Sequence, residues 1–293
     1  MYYLLPSLSG ILIAVMLVFN GQLTSGYGAY SSNMFIHMTG FVLINLIFLI
    51  RKEKIYFKKL PLYLYSGGML GVIITVFNNL SFGRINVSAI LALSLFGESI
   101  TSLLVDQFGL LKMKKHPLNK GKLIGIVMTL FGIVFMTREF DMLAVVLSFL
   151  SGSTLVVSRI FNARLADETS IRISTFYNYF VGLVVAIPLA LLVGSNEAFM
   201  IQPFIFPNPL AYLGGILGVG IVLISNSIVT KVPAFHLTLF LFVSQIFSGI
   251  ILDIIISGQI SIYNLVGGVF VTLGLFINLK LDSQKHQPLD DNT

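Results

Sequence analysis

Ten apolar runs, each close to the length of one membrane crossing, account for most of this 293-residue chain. A helix needs about 20 apolar residues to traverse a hydrocarbon core. The runs are Leu4–Leu23, Ser31–Ile50, Leu62–Phe82, Val87–Phe108, Gly121–Thr137, Met142–Asn162, Ile173–Val193, Leu210–Val229, Ala234–Ser257 and Ile260–Leu279. Charged residues make up 10% of the chain against 56% hydrophobic, where a soluble domain carries roughly 25% charged. The expected fold is therefore all-α and integral to the membrane.

The net charge of +6 is a topology signal and excludes nucleic acid as a partner. With the N-terminus placed in the cytoplasm, the inner connections hold Arg51, Lys52, Lys54, Lys58 and Lys59, then Lys112, Lys114, Lys115, Lys120 and Lys122. Arg159, Arg164, Arg172, Lys231, Lys280 and Lys285 continue the series, leaving only Arg84 and Arg138 of the 18 basic residues outside. Basic residues concentrate on the cytoplasmic side of membrane proteins, so both termini are expected there. The lysines at 51–59 and 112–122 can also meet anionic lipid. Cysteine is absent, which removes disulfides, thiolate metal sites and thiol nucleophiles. The first run has no basic leader or small-residue cleavage site and is read as retained.

Residues 65–106 align without a gap on 212–253, at an offset of 147. Tyr65, Gly67, Gly68, Leu70, Gly71, Val72 and Ile74 match Tyr212, Gly214, Gly215, Leu217, Gly218, Val219 and Ile221; Asn79 matches Asn226, and Asp106 matches Asp253. At an offset of 142, Phe19-Asn20 and Leu23 match Phe161-Asn162 and Leu165, and Gly40, Gly125 and Gly132 match Gly182, Gly267 and Gly274. Each half carries five runs, and five is odd, so the second copy must enter the membrane upside down. The expected organisation is a first repeat over 1–140, an inverted second repeat over 141–281 and a cytoplasmic tail over 282–293. Inverted repeats place a pseudo-two-fold axis in the membrane plane and a binding site near the bilayer midplane. The repeated glycines, four residues apart, suit close helix packing or a moving hinge.

Glu98 is the one formally charged side chain near the middle of a run, and Gln245 is its counterpart in the second copy. Intramembrane acids are costly and mark functional sites by default. Both residues lie about 16 Å into their runs, from opposite ends. On an ideal helix Ser94, Glu98, Thr101 and Ser102 share a face, as do Gln245 and Ser248, so the two stripes are expected to line one cavity. Burial penalises the charged form of a carboxyl, which gives Glu98 a route to binding a proton or a cationic solute; the alternative is a protonated side chain bonded between helices. Asp106 and Asp253 fall eight residues further on, at opposite membrane faces, where helix-end anchoring and gating remain open. That separation, about 24 Å, argues against a paired-aspartate protease. Asn20, Asn79, Asn162 and Asn226 are placed near helix ends as interhelical bonds or cavity lining. His37 and Asn178 occupy near-equivalent positions of their runs, and Arg159 is expected to snorkel to the inner interface. No phosphate loop, metal-ligand cluster or nucleophile motif is present, so neither cofactor nor enzymatic chemistry is expected.

These residues together resemble the YdcZ-like inner-membrane exporters of the drug/metabolite transporter superfamily, in the fused form with two five-span units in one chain. The family-like pieces are Asn20-Gly21-Gln22-Leu23, Gly40, Gly67-Gly68-x-x-Gly71, Gly97-Glu98 and Ser102 to Gly109, answered by Asn162, Leu165, Gly182, Gly214-Gly215-x-x-Gly218, Gln245 and Asp253. The family usually has Gln where this chain has Glu98, and the second copy lacks the Phe-Gly after Asp253. The resemblance implies a ten-helix drug/metabolite transporter fold, alternating access and export, and supplies no substrate. The chain is expected to move a small metabolite or a cationic, drug-like solute across a bacterial inner membrane, as a monomer or homodimer. Proton coupling through Glu98 is one option; a membrane scaffold or sensor is the other class of function that remains.

Overall fold

The computed structural model describes residues 4–112, 120–136, 141–197, 208–228 and 234–283. Among these residues ten α-helices coincide with the ten apolar runs: α1 (Leu4–Tyr27), α2 (Ala29–Arg51), α3 (Gly67–Ser81), α4 (Val87–Phe108), α5 (Lys120–Met136), α6 (Met142–Glu168), α7 (Ile171–Leu192), α8 (Leu213–Ile228), α9 (Ala234–Ser257) and α10 (Ile262–Ser283). Seven helical segments are long and apolar enough to cross a membrane. Shorter apolar helices cover Ile124–Met136, Pro209–Ile224 and Ile262–Ile277.

The outer faces keep their apolar side chains at helical spacing. On α2 the exposed stripe is Met38, Val42, Leu46 and Leu49; on α5 it includes Ile124, Val127, Leu130 and Val134. Exposed stripes of this kind suit lipid and would be a liability in water. The opposite arrangement holds for α4, whose nine consecutive residues Val87–Leu95 are all buried. A helix apolar on every face belongs in the centre of a bundle, and α4 occupies that place. Its Ile90 and Leu95 share the largest core with Leu17 of α1, Met136 of α5, Ile246 of α9 and Val271 of α10. A second core joins Ile44 and Phe48 of α2 to Phe176 and Tyr179 of α7 and Val219 of α8.

Packing between the halves is reciprocal. α1 lies against α8 and α9 of the second half, while its counterpart α6 lies against α3 and α4 of the first; α2 packs on α7, α4 on α9 and α5 on α10. The glycines repeat the exchange. A methyl group at Gly67 would strike Asn162 Oδ1, and one at Gly214 would strike the matching Asn20 Oδ1. A methyl on Gly40 would meet the Tyr179 ring, and one on Gly182 the His37 ring. These glycines are sites of close approach, as small residues in membrane helices commonly are. The contacts also pair His37 with Tyr179, at the offset of 142, rather than with Asn178.

Helix ends are capped partly across the sequence. Glu197 accepts from the N–H groups of Tyr30 (2.9 Å) and Ser31 (2.7 Å), closing the start of α2 from the second half. Asp141 caps α6, accepting from Ala144 N–H at 3.0 Å, and receives Arg84 Nη1 at 3.0 Å. The Ala144 amide first, and then the Arg84 guanidinium, hold the exposed Asp141 carboxyl below the usual aspartate range. A carboxylate favoured in this way stabilises the fold fully above its unfolded pKa, about 3.9, and that contribution fades as pH falls through the lowered folded value. Acid titration of thermal stability in detergent is therefore expected to fall less steeply below about pH 4 for Asp141→Asn than for the parent. Superimposable acid limbs would contradict the cap.

Candidate functional site

A cavity of about 610 Å³ lies between the halves, lined from α1, α2, α3, α4, α6, α7, α8, α9 and α10. Its volume falls within the range of small-molecule sites, roughly 300–1,000 Å³. Glu98, Ser94 and Ser102 line it from α4, Gln245 from α9, His37 from α2 and Asn178 from α7. Thr101 and Ser248, expected beside them, do not line it. The physical reason is rotation: α4 turns the Ser99–Ser102–Leu103 side of its polar stripe inward, away from Thr101. On α9 the lining residues Thr238, Leu241, Phe242 and Gln245 occupy the N-terminal half. Ser248 lies beyond them, next to Gly249, where α9 closes on Ser88 and Leu91 of α4.

Glu98 is not a lone charge. Arg159 of α6 donates through Nη1 to Glu98 Oε2. The Glu98 side chain is 5% exposed and that of Arg159 is 47% exposed, so the acid forms the floor of the pair and the guanidinium its open face. To the expectation of an interface anchor the structure adds a partner: α6 continues six residues past the end of its apolar run to Glu168, and Arg159 lies within the helix and beside the cavity. The pair is brought together by a close crossing of α4 on α6. A methyl group on Gly97 would collide with the Phe149 carbonyl, and one on Gly152 with the Ser94 carbonyl. The symmetry-related positions hold Gln245 of the second half and Leu17 of the first, both in the cavity wall. The ion pair therefore breaks the near-symmetry of the site.

Around Arg159 the wall is polar. Asn162 donates to Asn178 Oδ1 at 2.9 Å, Ser174 donates to the Asn162 carbonyl at 2.7 Å, and Ser158 donates to the Gly67 carbonyl at 3.0 Å. Near α1 the wall is mainly apolar, with Ile13, Met16, Leu17, Leu241 and Phe242. Asn20 Oδ1 and Gln245 Oε1 are buried there without a hydrogen-bond partner. His37 is held by Nδ1 against the Asn33 carbonyl at 3.0 Å.

The remaining expected residues divide. Asn20 and Asn162 line the cavity and lie well inside α1 and α6, not near helix ends, because both helices outrun their apolar stretches. Asn79 faces elsewhere, donating to Ala29 O at 3.1 Å and Ser32 Oγ at 3.0 Å. Gly71, Gly214 and Gly218 line the cavity, whereas Gly67, Gly68 and Gly215 sit in helix contacts. The side chains of Asp106 and Asn226 lie outside the described residues.

Asp253 anchors a helix end in a way the letters did not reveal. Its carboxylate accepts from Val87 N–H (2.7 Å), Ser88 N–H (3.0 Å) and the Ser88 hydroxyl. An acid at a helix N-terminus satisfies free amides and meets the positive end of the dipole. It thus caps α4 from α9. Asp106 sits 19 residues beyond Val87, about 28 Å along the axis, at the other end of α4. Asp253→Ala is expected to cost about 1–3 kcal/mol, read as a lowered thermal midpoint in detergent. A midpoint equal to the parent's would remove the cap from the account.

Missed altogether was Arg159 as a cavity residue, along with Asn78 and Ser151, which also line it. The available signal was spacing: Arg159 stands three residues before Asn162 and so shares its face.

A family model described as "Putative inner membrane exporter, YdcZ" matches the chain twice, over residues 1–135 and 143–277. A solved structure described as "Crystal structure of protein" is similar at a TM-score of 0.61 and 14% identity, with 97% of this chain and 99% of that chain covered. At that identity the likeness concerns the fold alone. No curated protein matches the chain.

Proposed function

The chain belongs to the YdcZ family of inner-membrane exporters, and on that premise we propose that it is a secondary active transporter moving a small solute outward by alternating access. It is a multi-pass membrane protein. The observation that carries the mechanism is the cavity itself: it lies between the two copies and holds the cavity's one charged pair, Glu98–Arg159, among its described lining residues. Two reciprocal bundles flank it, α1 with α8 and α9, and α3 and α4 with α6. Rocking of one bundle against the other exposes the cavity to either side in turn, the common mode of inverted-repeat transporters. The two family matches, starting 142 residues apart, and the reciprocal glycine contacts support an inverted pair of five-helix units. The distribution of basic residues supports cytoplasmic termini.

Counterflow in proteoliposomes across a panel of anionic, zwitterionic, neutral and cationic metabolites tests this reading. At least one solute is expected to exchange, with the rate falling sharply in Arg159→Gln. If Glu98 couples a proton, Glu98→Gln folds but loses pH-driven flux. A wild-type protein that exchanges nothing on the panel, while remaining folded, would favour a scaffold or sensor instead.

A further inference from the structure

This inference rests on the cavity being the transport site, and it names the class of solute. We propose that the transported solute is an amphipathic organic acid whose carboxylate docks on Arg159 and displaces Glu98, with one proton carried on Glu98 in the loaded state.

The charge that the cavity presents decides between acid and base. Glu98 alone would attract a cation, but its carboxylate is covered and already paired. The exposed member is Arg159, whose side chain is nearly half open, with Nη1 engaged by Glu98 Oε2. A cation approaching the pair meets positive charge first. A carboxylate meets a planar fork of N–H donors, the geometry arginine uses for bidentate recognition. The rest of the wall fits the rest of such a molecule: Ile13, Leu17, Leu241 and Phe242 supply an apolar end away from Arg159. The symmetry-related positions in the same wall hold Gln245 and Leu17, so the fold itself does not demand an ion pair there.

Charge balance supplies the proton. Solute and Glu98 together place two carboxylates beside one guanidinium, one of them on a side chain only 5% exposed, and like charges so placed cannot both stay ionised at low cost. Glu98 accepts one proton from solution, breaks its bond to Arg159 and leaves the guanidinium to the solute; release of the solute returns the proton and re-forms the pair. No covalent bond between heavy atoms changes. The other titratable groups on the wall are His37 from α2 and Tyr179 from α7. Among the described lining residues α1, α3, α8, α9 and α10 contribute none, and Asp253 of α9 is occupied at the far end of α4.

Hexanoate, hexanamide and hexylammonium serve as probes for the full-length protein in detergent, with binding measured by calorimetry in two buffers of different ionisation enthalpy. Hexanoate is expected to bind with uptake of about one proton and more tightly near pH 6 than near pH 8. The amide and the ammonium are expected to bind at least about tenfold more weakly. Arg159→Gln loses hexanoate selectivity, and Glu98→Gln binds hexanoate without proton uptake or pH dependence. Should Arg159→Gln fold poorly, the neutral Glu98→Gln/Arg159→Gln pair puts the same question to a folded cavity. Hexylammonium bound more tightly than hexanoate, no hexanoate binding to the parent, or hexanoate affinity retained without Arg159 would each overturn the proposal. Counterflow of neutral or cationic solutes alone would overturn it while leaving the transporter reading intact; absence of all counterflow removes that reading instead.

Discussion

Arg159→Gln is expected to abolish transport and to destabilise the protein, while the double variant Glu98→Gln/Arg159→Leu recovers stability but not transport. The single change strands a carboxylate that is 5% exposed. Breaking a fully buried pair from one side costs about 3–5 kcal/mol, and the open face of Arg159 brings the expected loss toward or below the lower end, since solvent already screens it. Neutralising both partners reproduces the chemistry of the symmetry-related positions, where Gln245 of the second half and Leu17 of the first carry no charge. Replacing a buried pair by neutral groups is commonly tolerated. Thermal midpoints of the parent, Glu98→Gln, Arg159→Leu and the double variant form a double-mutant cycle, and counterflow rates are read on the same preparations. Additive midpoints would show that the two side chains do not act on each other. Transport retained by the double variant would make the pair a structural feature only.

Gly152→Val is expected to have the second large effect. α6 crosses α4 so closely that even a methyl group at this position would meet the Ser94 carbonyl and Cα. Backbone cannot swing aside as a flexible side chain can, so α4 and α6 must separate. Overpacking costs about 1–3 kcal/mol, and separation also moves Glu98 away from Arg159, about one turn further along α4 and two turns further along α6. Gly220 is the control: nothing lies within 4 Å of a methyl placed there, and alanine improves on glycine in a helix by about 1 kcal/mol. Loss of counterflow and a lowered midpoint in Gly152→Val, against parental counterflow and a midpoint at or above the parent's in Gly220→Ala, is the expected pattern. Equal behaviour of the two would mean that the crossing is looser than its geometry.

Much of the fold could be read before any coordinates. All ten helices fall on apolar runs because length and hydrophobicity are summed properties, insensitive to detail. The glycine repeat was equally legible, since a close approach leaves a glycine in both copies. Glu98 stood out because nothing else charged lies near mid-run. What failed was direction. Arg159 near the end of an apolar run reads as an interface anchor, and periodicity alone does not say that it turns to Glu98 beside the cavity. Thr101 and Ser102 are adjacent on a polar stripe, and periodicity alone cannot say that α4 turns Ser102 toward the cavity. Asp253 capping α4 spans 165 residues of sequence, and contacts that long leave no local trace.

The central claim is that the cavity beside Glu98 and Arg159 is the path of the solute and opens to both sides. The chain contains no cysteine, so a single one at Ser102 can be challenged with a membrane-impermeant thiol reagent in right-side-out and inside-out vesicles, with Thr101→Cys as the neighbour outside the cavity. Labelling of position 102 from both faces, with position 101 spared, is the predicted result. Labelling of 102 from one face only, or no difference between 102 and 101, would contradict it.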